Sequence, residues 1–211
     1  MNPTAWVLVA LFGGLAAANW WSRWRDARSV ELWTKPLALV ALTGVAIALD
    51  PADPAERAWF VAALVASLAG DVFLLFGDRY FIAGLGSFLV AHVLYSVGFV
   101  VAPDWRWPGF ALALVAMAAL AALIGRRIVV AASEHDAALR APVSAYLVVI
   151  SAMAASAGAA GNPWAIAGAG LFVASDSLLG WRQFVGGDRW MAPAVMITYH
   201  LGQAGLVLSL V

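Results

Sequence analysis

The chain contains no cysteine, which removes disulfides and thiol catalysis from the options open to it. Charge is almost as scarce. Only 11% of the 211 residues are Asp, Glu, Lys or Arg, where a soluble globular chain carries roughly a quarter. The 12 basic residues cancel the 12 acidic ones, and no basic run stands out, so nothing points to nucleic acid. What fills the space is apolar: 64% hydrophobic residues and a mean hydropathy of +0.89. Such a chain cannot cover itself with polar surface, so lipid is its solvent. No positive charge precedes the first apolar run, residues 5–18, which is therefore expected to be a retained helix and not a secretory signal.

Apolar segments cover about 4–20, 36–49, 59–76, 81–102, 107–124, 142–160, 163–181 and 191–211, the second being short and extendable backwards through Leu32 and Trp33. Their lengths fit helices of ~20 residues and not barrel strands of ~10. The expected fold is all-α, a polytopic bundle of eight transmembrane helices forming one domain over residues 1–211. Asp50-Pro51, Asp53-Pro54, Gly77-Asp78, Pro103-Asp104, Asn162-Pro163 and Gly186-Gly187-Asp188 supply the connections. Most of the tryptophans, Trp20 among them, fall near segment ends, where indole rings favour the headgroup layer.

Charge asymmetry orients the bundle. The odd-numbered loops hold Arg23, Arg25, Arg28, Lys35, Arg79, Arg126, Arg127, Arg140, Arg182 and Arg189; the even-numbered loops hold only Arg57 and Arg106. The positive-inside rule then places the odd loops in the cytoplasm and both termini outside, as expected of a bacterial inner-membrane protein.

A fainter pattern suggests duplication. Lys35-Pro36 and Arg140-Ala141-Pro142, Asp71 and Asp176 (each before a Leu-Leu pair), Asp78-Arg79-Tyr80 and Asp188-Arg189-Trp190, and His92 and His200 recur at about half the chain length. Two parallel four-helix halves, about 1–105 and 106–211, would account for it, as would chance similarity between apolar segments.

Chemistry concentrates in a few polar residues within apolar runs. Asp71 and Asp176 each lie in a spanning helix, where a carboxylate costs on the order of 3 kcal/mol on insertion scales. Both fall near the ends of segments that run towards the cytoplasm, so they are expected at one depth. In a shared pocket, one would stay protonated while the other ionises. His92 and Tyr95 are one turn apart. Tyr146, Tyr199, His200 and Gln203 are expected at a similar level. Lys35, Arg79, Arg182 and Arg189 are candidates to hold a lipid phosphate, and snorkelling to the interface is the ordinary alternative for each. His135, in Ser133-Glu134-His135-Asp136, reads as a solvated loop residue. No HExxH spacing or third intramembrane His supports a metal site, and no cofactor is expected.

Lys35-Pro36, Gly70-Asp71-Val72-Phe73-Leu74, Phe88, Ala91-His92-Val93 with Tyr95, Tyr146, Phe172 with Ser175-Asp176, and Tyr199 with Gln203 occur in an order that resembles the YhhN/TMEM86 family, the lysoplasmalogenases, over essentially the whole chain. The resemblance implies an eight-helix membrane hydrolase that cleaves the vinyl ether bond of lysoplasmalogens to a fatty aldehyde and a glycerophospho-ethanolamine or glycerophospho-choline. It implies Asp71 and Asp176 as the catalytic pair. Lys35, His92, Tyr95, Tyr146, Tyr199, His200 and Gln203 would then surround a lysophospholipid. One departure is His200, where the family pattern has an aromatic after the helix 8 Tyr. The residues by themselves also fit a small transporter or lipid-translocating protein, or a metal-dependent intramembrane lipid hydrolase.

Overall fold

A computed structural model describes residues 3–102 and 104–211, with every side chain except that of Asp78. The turn expected at Pro103 and the Asp78 side chain of the candidate repeat lie outside the described residues. Among the described residues there are eight helices long and apolar enough to cross a membrane: α1 (Pro3–Trp24), α2 (Arg28–Ala48), α3 (Pro54–Leu75), α4 (Phe81–Val101), α5 (Trp107–His135), α6 (Arg140–Ala160), α7 (Pro163–Phe184) and α8 (Met191–Leu208). The chain is an integral membrane helix bundle.

Local chemistry sets the helix starts. Asp53 accepts hydrogen bonds from the amides of Ala55 and Glu56, at 2.7 and 3.4 Å, with Pro54 opening α3. Asn162 does the same for Trp164 at 2.9 Å, with Pro163 opening α7. Both place a side-chain acceptor on amides that the first turn leaves free and use a proline where no amide is needed. Consecutive helices pack as hairpins, α1 with α2, α3 with α4, α5 with α6 and α7 with α8. The α4–α6, α2–α3, α6–α7 and α1–α8 contacts then join the hairpins.

Three helices run further than their apolar stretches. α2 begins at Arg28, so Lys35 and Pro36 lie inside it and do not open it. The charge that hid its first two turns is neutralised: Glu31 is bonded by Arg23 at 2.6 Å and by Arg28 at 3.2 Å. α7 continues to Phe184, leaving Asp176 more than two turns from its end, whereas Asp71 is one turn from the end of α3. α5 extends to His135, which closes the helix as an exposed residue and is not in a loop. At 29 residues, α5 is about 44 Å long, more than the ~30 Å of a hydrocarbon core. A π-helical turn at Ala121–Gly125 interrupts it and resets its inward face, which then buries Ile128 and Ala132.

The α7–α8 hairpin is close enough for backbone contact. A Cβ on Gly168 would lie 2.6 Å from the Leu206 nitrogen and 2.8 Å from the Gly202 carbonyl oxygen. Gly70 and Gly84 face the Phe88 and Leu74 side chains instead. Gly86 and Gly170, although small residues in spanning helices often mark close packing, face open space. Gly168→Ala should therefore push α7 from α8, cost about 1–3 kcal/mol as an overpacked contact and lower the melting temperature in detergent. Gly170→Ala, with nothing to strike, should leave it unchanged or slightly raised.

Candidate active site

Asp71 on α3 and Asp176 on α7 line one polar cavity of about 160 Å³ at the arginine-rich end of the bundle. Asp71 is almost wholly buried, at 1% exposure. Lys35 Nζ on α2 lies 3.2 Å from its Oδ1, and the Tyr199 hydroxyl on α8 donates to its Oδ2 at 2.9 Å. Lys35 is itself only 6% exposed. Lys35 is therefore engaged with a carboxylate and does not snorkel, because a buried ammonium needs an anionic partner.

Asp176 is more open, with a side chain 12% exposed. The Tyr146 hydroxyl on α6 donates to its Oδ2, and His92 Nε2 on α4 lies 3.1 Å from the same oxygen and 2.9 Å from the Tyr146 hydroxyl. With its proton on Nε2, His92 donates into the pair. Each carboxylate is thus oriented through Oδ2 by a tyrosine. One is balanced by a cation and the other sits beside an imidazole.

Asp176 also borders a second, apolar cavity of about 80 Å³, lined by Met117, Gly125, Ile128, Val143, Tyr146, Ile150, Val173 and Gly180 among others. The two cavities share Leu74, Phe81, Phe88, Asp176 and Leu179, so they adjoin at Asp176. Gly125, at the end of the π turn, packs against Leu147 and brings the second half of α5 onto this wall.

The remaining sequence candidates form an inner layer off both cavity walls. Tyr95 donates to Gln203 Oε1 at 2.5 Å, joining α4 to α8 beneath the T-shaped contact of Tyr95 with Phe60. His200 is fully buried and turned towards α1, where Trp20 Nε1 donates to its Nδ1 at 2.9 Å and to the Met196 carbonyl at 3.2 Å. Trp20 is thus an internal partner of α8 and not part of the headgroup belt. Its sequence signal, a Trp beside Asn19 and three residues before Arg23, is no different from an interfacial anchor. Of Arg79, Arg182 and Arg189, only Arg182 lines the polar cavity. Arg23 joins it there from α1, a position the sequence assigned only to orientation. Among the described residues no three His, Asp or Glu side chains come together as a metal-binding group.

An arrangement of two tyrosine-oriented carboxylates, one cation-balanced, at the meeting point of a polar and an apolar cavity suits acid–base chemistry on an amphiphile. Over 150 residues the chain is 33% identical to a protein of Mycobacterium bovis named lysoplasmalogenase, covering 68% of this chain and 57% of that one. Over 179 residues it is 31% identical to human lysoplasmalogenase TMEM86B, covering 83% and 73%. The mouse TMEM86B matches at 33% over 147 residues, 70% of this chain and 61% of that protein. The chain thus spans little more than half the length of the mycobacterial relative. No solved structure matches it. The sequence profile of the YhhN family matches residues 30–210, which takes in every helix from α2 to α8 and both aspartates, and the chain belongs to the YhhN family.

Proposed function

We propose that this protein hydrolyses the vinyl ether bond of a lysoplasmalogen, with Asp176 as the proton donor and Asp71 as the base. The observation that carries the assignment is the position of Asp176 at the join of the two cavities. The names of the relatives supply the substrate class. A vinyl ether is cleaved by protonating the carbon beta to the ether oxygen, which is the carbon on the chain side. With the alkenyl chain in the apolar cavity and the glycerol in the polar one, that carbon lies against Asp176.

The proton of Asp176 forms the new C–H bond and leaves an oxocarbenium ion, whose charge the Asp176 carboxylate then faces. Water adds to the oxocarbenium carbon and gives its proton to Asp71. The neutral hemiacetal collapses as its hydroxyl proton returns to Asp176 and the glycerol oxygen departs with the proton held by Asp71. The products are a fatty aldehyde and a glycerophospho-headgroup, and both carboxyl groups are restored. The logic is that of the paired carboxylates of glycosidases. Lys35 balances the Asp71 charge before water is deprotonated. Tyr199, Tyr146 and His92 fix the two carboxyl planes, while Tyr95, Gln203 and His200 hold α8 in place behind them.

Two further readings accompany this one. The basic ends of α1, α3, α5 and α7 face the cytoplasm, which puts the site in the cytoplasmic half and both termini outside. The chain is two parallel halves, about 1–105 and 106–211. Each acid takes one partner from the second helix of its own half and one from the fourth helix of the other: Lys35 and Tyr199 for Asp71, Tyr146 and His92 for Asp176.

Asp176→Asn should lower aldehyde release from lysoplasmenyl-ethanolamine by at least about 100-fold, the usual weight of a general acid, with the melting temperature little changed. Asp71→Asn should lose both activity and stability, because it strands the Lys35 ammonium at a cost of about 3–5 kcal/mol. Adding Lys35→Met should restore the stability and not the turnover; near-wild-type turnover in any of the three defeats the acid–base pair.

Filling the apolar cavity with Val143→Phe should raise KM about tenfold for a long alkenyl chain, the scale of ~1.4 kcal/mol, and less for a short one. An equal effect on both lengths would place the chain elsewhere. The cysteine-free chain also allows a direct topology test. In intact cells a membrane-impermeant maleimide should label Asp104→Cys and leave Gly186→Cys unlabelled until lysis, and the reverse pattern would invert the bundle.

A further inference from the structure

The polar cavity has three cations on its wall, Arg23, Lys35 and Arg182, and two of them are already paired. Lys35 is held by Asp71 at 3.2 Å and Arg23 by Glu31 at 2.6 Å. Glu31 is shared further with Arg28 at 3.2 Å, and Arg28 also donates to the Leu75 carbonyl. Arg182 has no ion pair among the described residues, although Arg23, Glu31 and Asp26 are the charged groups near enough to act on it. Glu31 and Asp26 stand against Arg23, Arg28 and Arg182, which leaves this mouth one guanidinium in excess. The fork of donors on a free guanidinium matches the oxygens of a phosphate.

Spacing along α7 adds a second, independent constraint. Arg182 follows Asp176 by six residues, an axial rise of about 9 Å towards the mouth. In a lysoplasmalogen seven bonds separate the carbon that Asp176 protonates from phosphorus, an extended reach of about 8 Å by ordinary chain geometry. An arginine side chain at Arg182 spans the remainder.

We propose that Arg182, with Arg23 beside it, binds the phosphodiester of the lysophospholipid and so sets the position of its ether bond against Asp176. This rests on the hydrolase reading for the identity of the lipid and adds the residue that selects a phosphate-bearing ether over a phosphate-free one. Lys35, one of the four cations that the sequence offered for the phosphate, has the separate task of balancing Asp71.

The test compares lysoplasmenyl-ethanolamine with the corresponding 1-alkenyl-glycerol, which has the same vinyl ether and no phosphate. In Arg182→Gln the ratio of kcat/KM for the two substrates should fall by about 10–100-fold, the worth of a charge-assisted hydrogen bond pair, through KM and not kcat. Arg182→Lys should recover part of the ratio, since it keeps a point charge and loses the fork. A structural defect would instead depress both substrates together and leave the ratio where it was, which would overturn the proposal.

Binding is measured separately with saturated ether analogues that cannot be cleaved, 1-alkyl-lysophosphoethanolamine and 1-alkyl-glycerol. The wild type should favour the phosphate-bearing analogue, and Arg182→Gln should lose that preference. If the wild type releases no aldehyde yet shows this preference and its loss, the phosphate site stands and the hydrolase reading falls. If the two analogues bind the wild type equally, the phosphate site falls whatever the turnover.

Discussion

An ammonium and a carboxylate held together inside a bundle of lipid-facing helices impose conditions on everything around them. Lys35 and Asp71 are each almost removed from solvent, and neither charge is tolerable there without the other. Their 3.2 Å contact requires α2 to lie against α3 at that level. It also requires the carboxylate's second oxygen to be satisfied, which Tyr199 does from α8. One ion pair thus fixes three helices relative to one another. The lane of Arg28, Glu31 and Arg23 continues the polar path from that pair towards the aqueous edge, which explains why α2 begins with two charged turns and still spans.

The same economy is visible at the second acid. Asp176 has no lysine, and its Oδ2 is surrounded by the Tyr146 hydroxyl and His92. Two carboxyl groups in one cavity would repel if both were charged. Giving one of them a dedicated cation and the other only hydrogen-bond partners makes their surroundings unlike without any difference in residue type. The peripheral part of the molecule serves this centre in a different way. α5 is the least buried spanning helix, and its π turn lets a helix that mostly faces lipid contribute Gly125 and Ile128 to the apolar cavity wall.

Much of this was legible from residue order. The eight spans, the all-helical class and the placing of Asp71 and Asp176 within spanning helices follow from hydrophobic runs. The extents of α2, α5 and α7 did not, because Arg28, Glu31, Arg126 and Arg182 break the apolar pattern and their compensation comes from other helices or from the helix length itself. Pairing was equally hidden. Nothing in Trp20 distinguishes a donor to His200 from an interfacial anchor, and nothing in Lys35 tells whether its charge meets a lipid or Asp71. Such choices are settled by which faces meet, and a single sequence records faces only as periodicity.

The join of a polar cavity and an apolar one, with Asp176 the polar side chain on it, has a bearing on what would follow bond cleavage. On the proposed reading, a lysophospholipid would be held across that join as one molecule, anchored at both ends. Once its ether linkage was cut, nothing would tie the two fragments to each other, and each would find itself in the phase it prefers. The aldehyde would be left among Val143, Ile150 and Val173 on the apolar side, and the glycerophosphate among arginines at the basic end. Departure by opposite routes would disfavour recombination and would keep a reactive carbonyl out of the aqueous compartment.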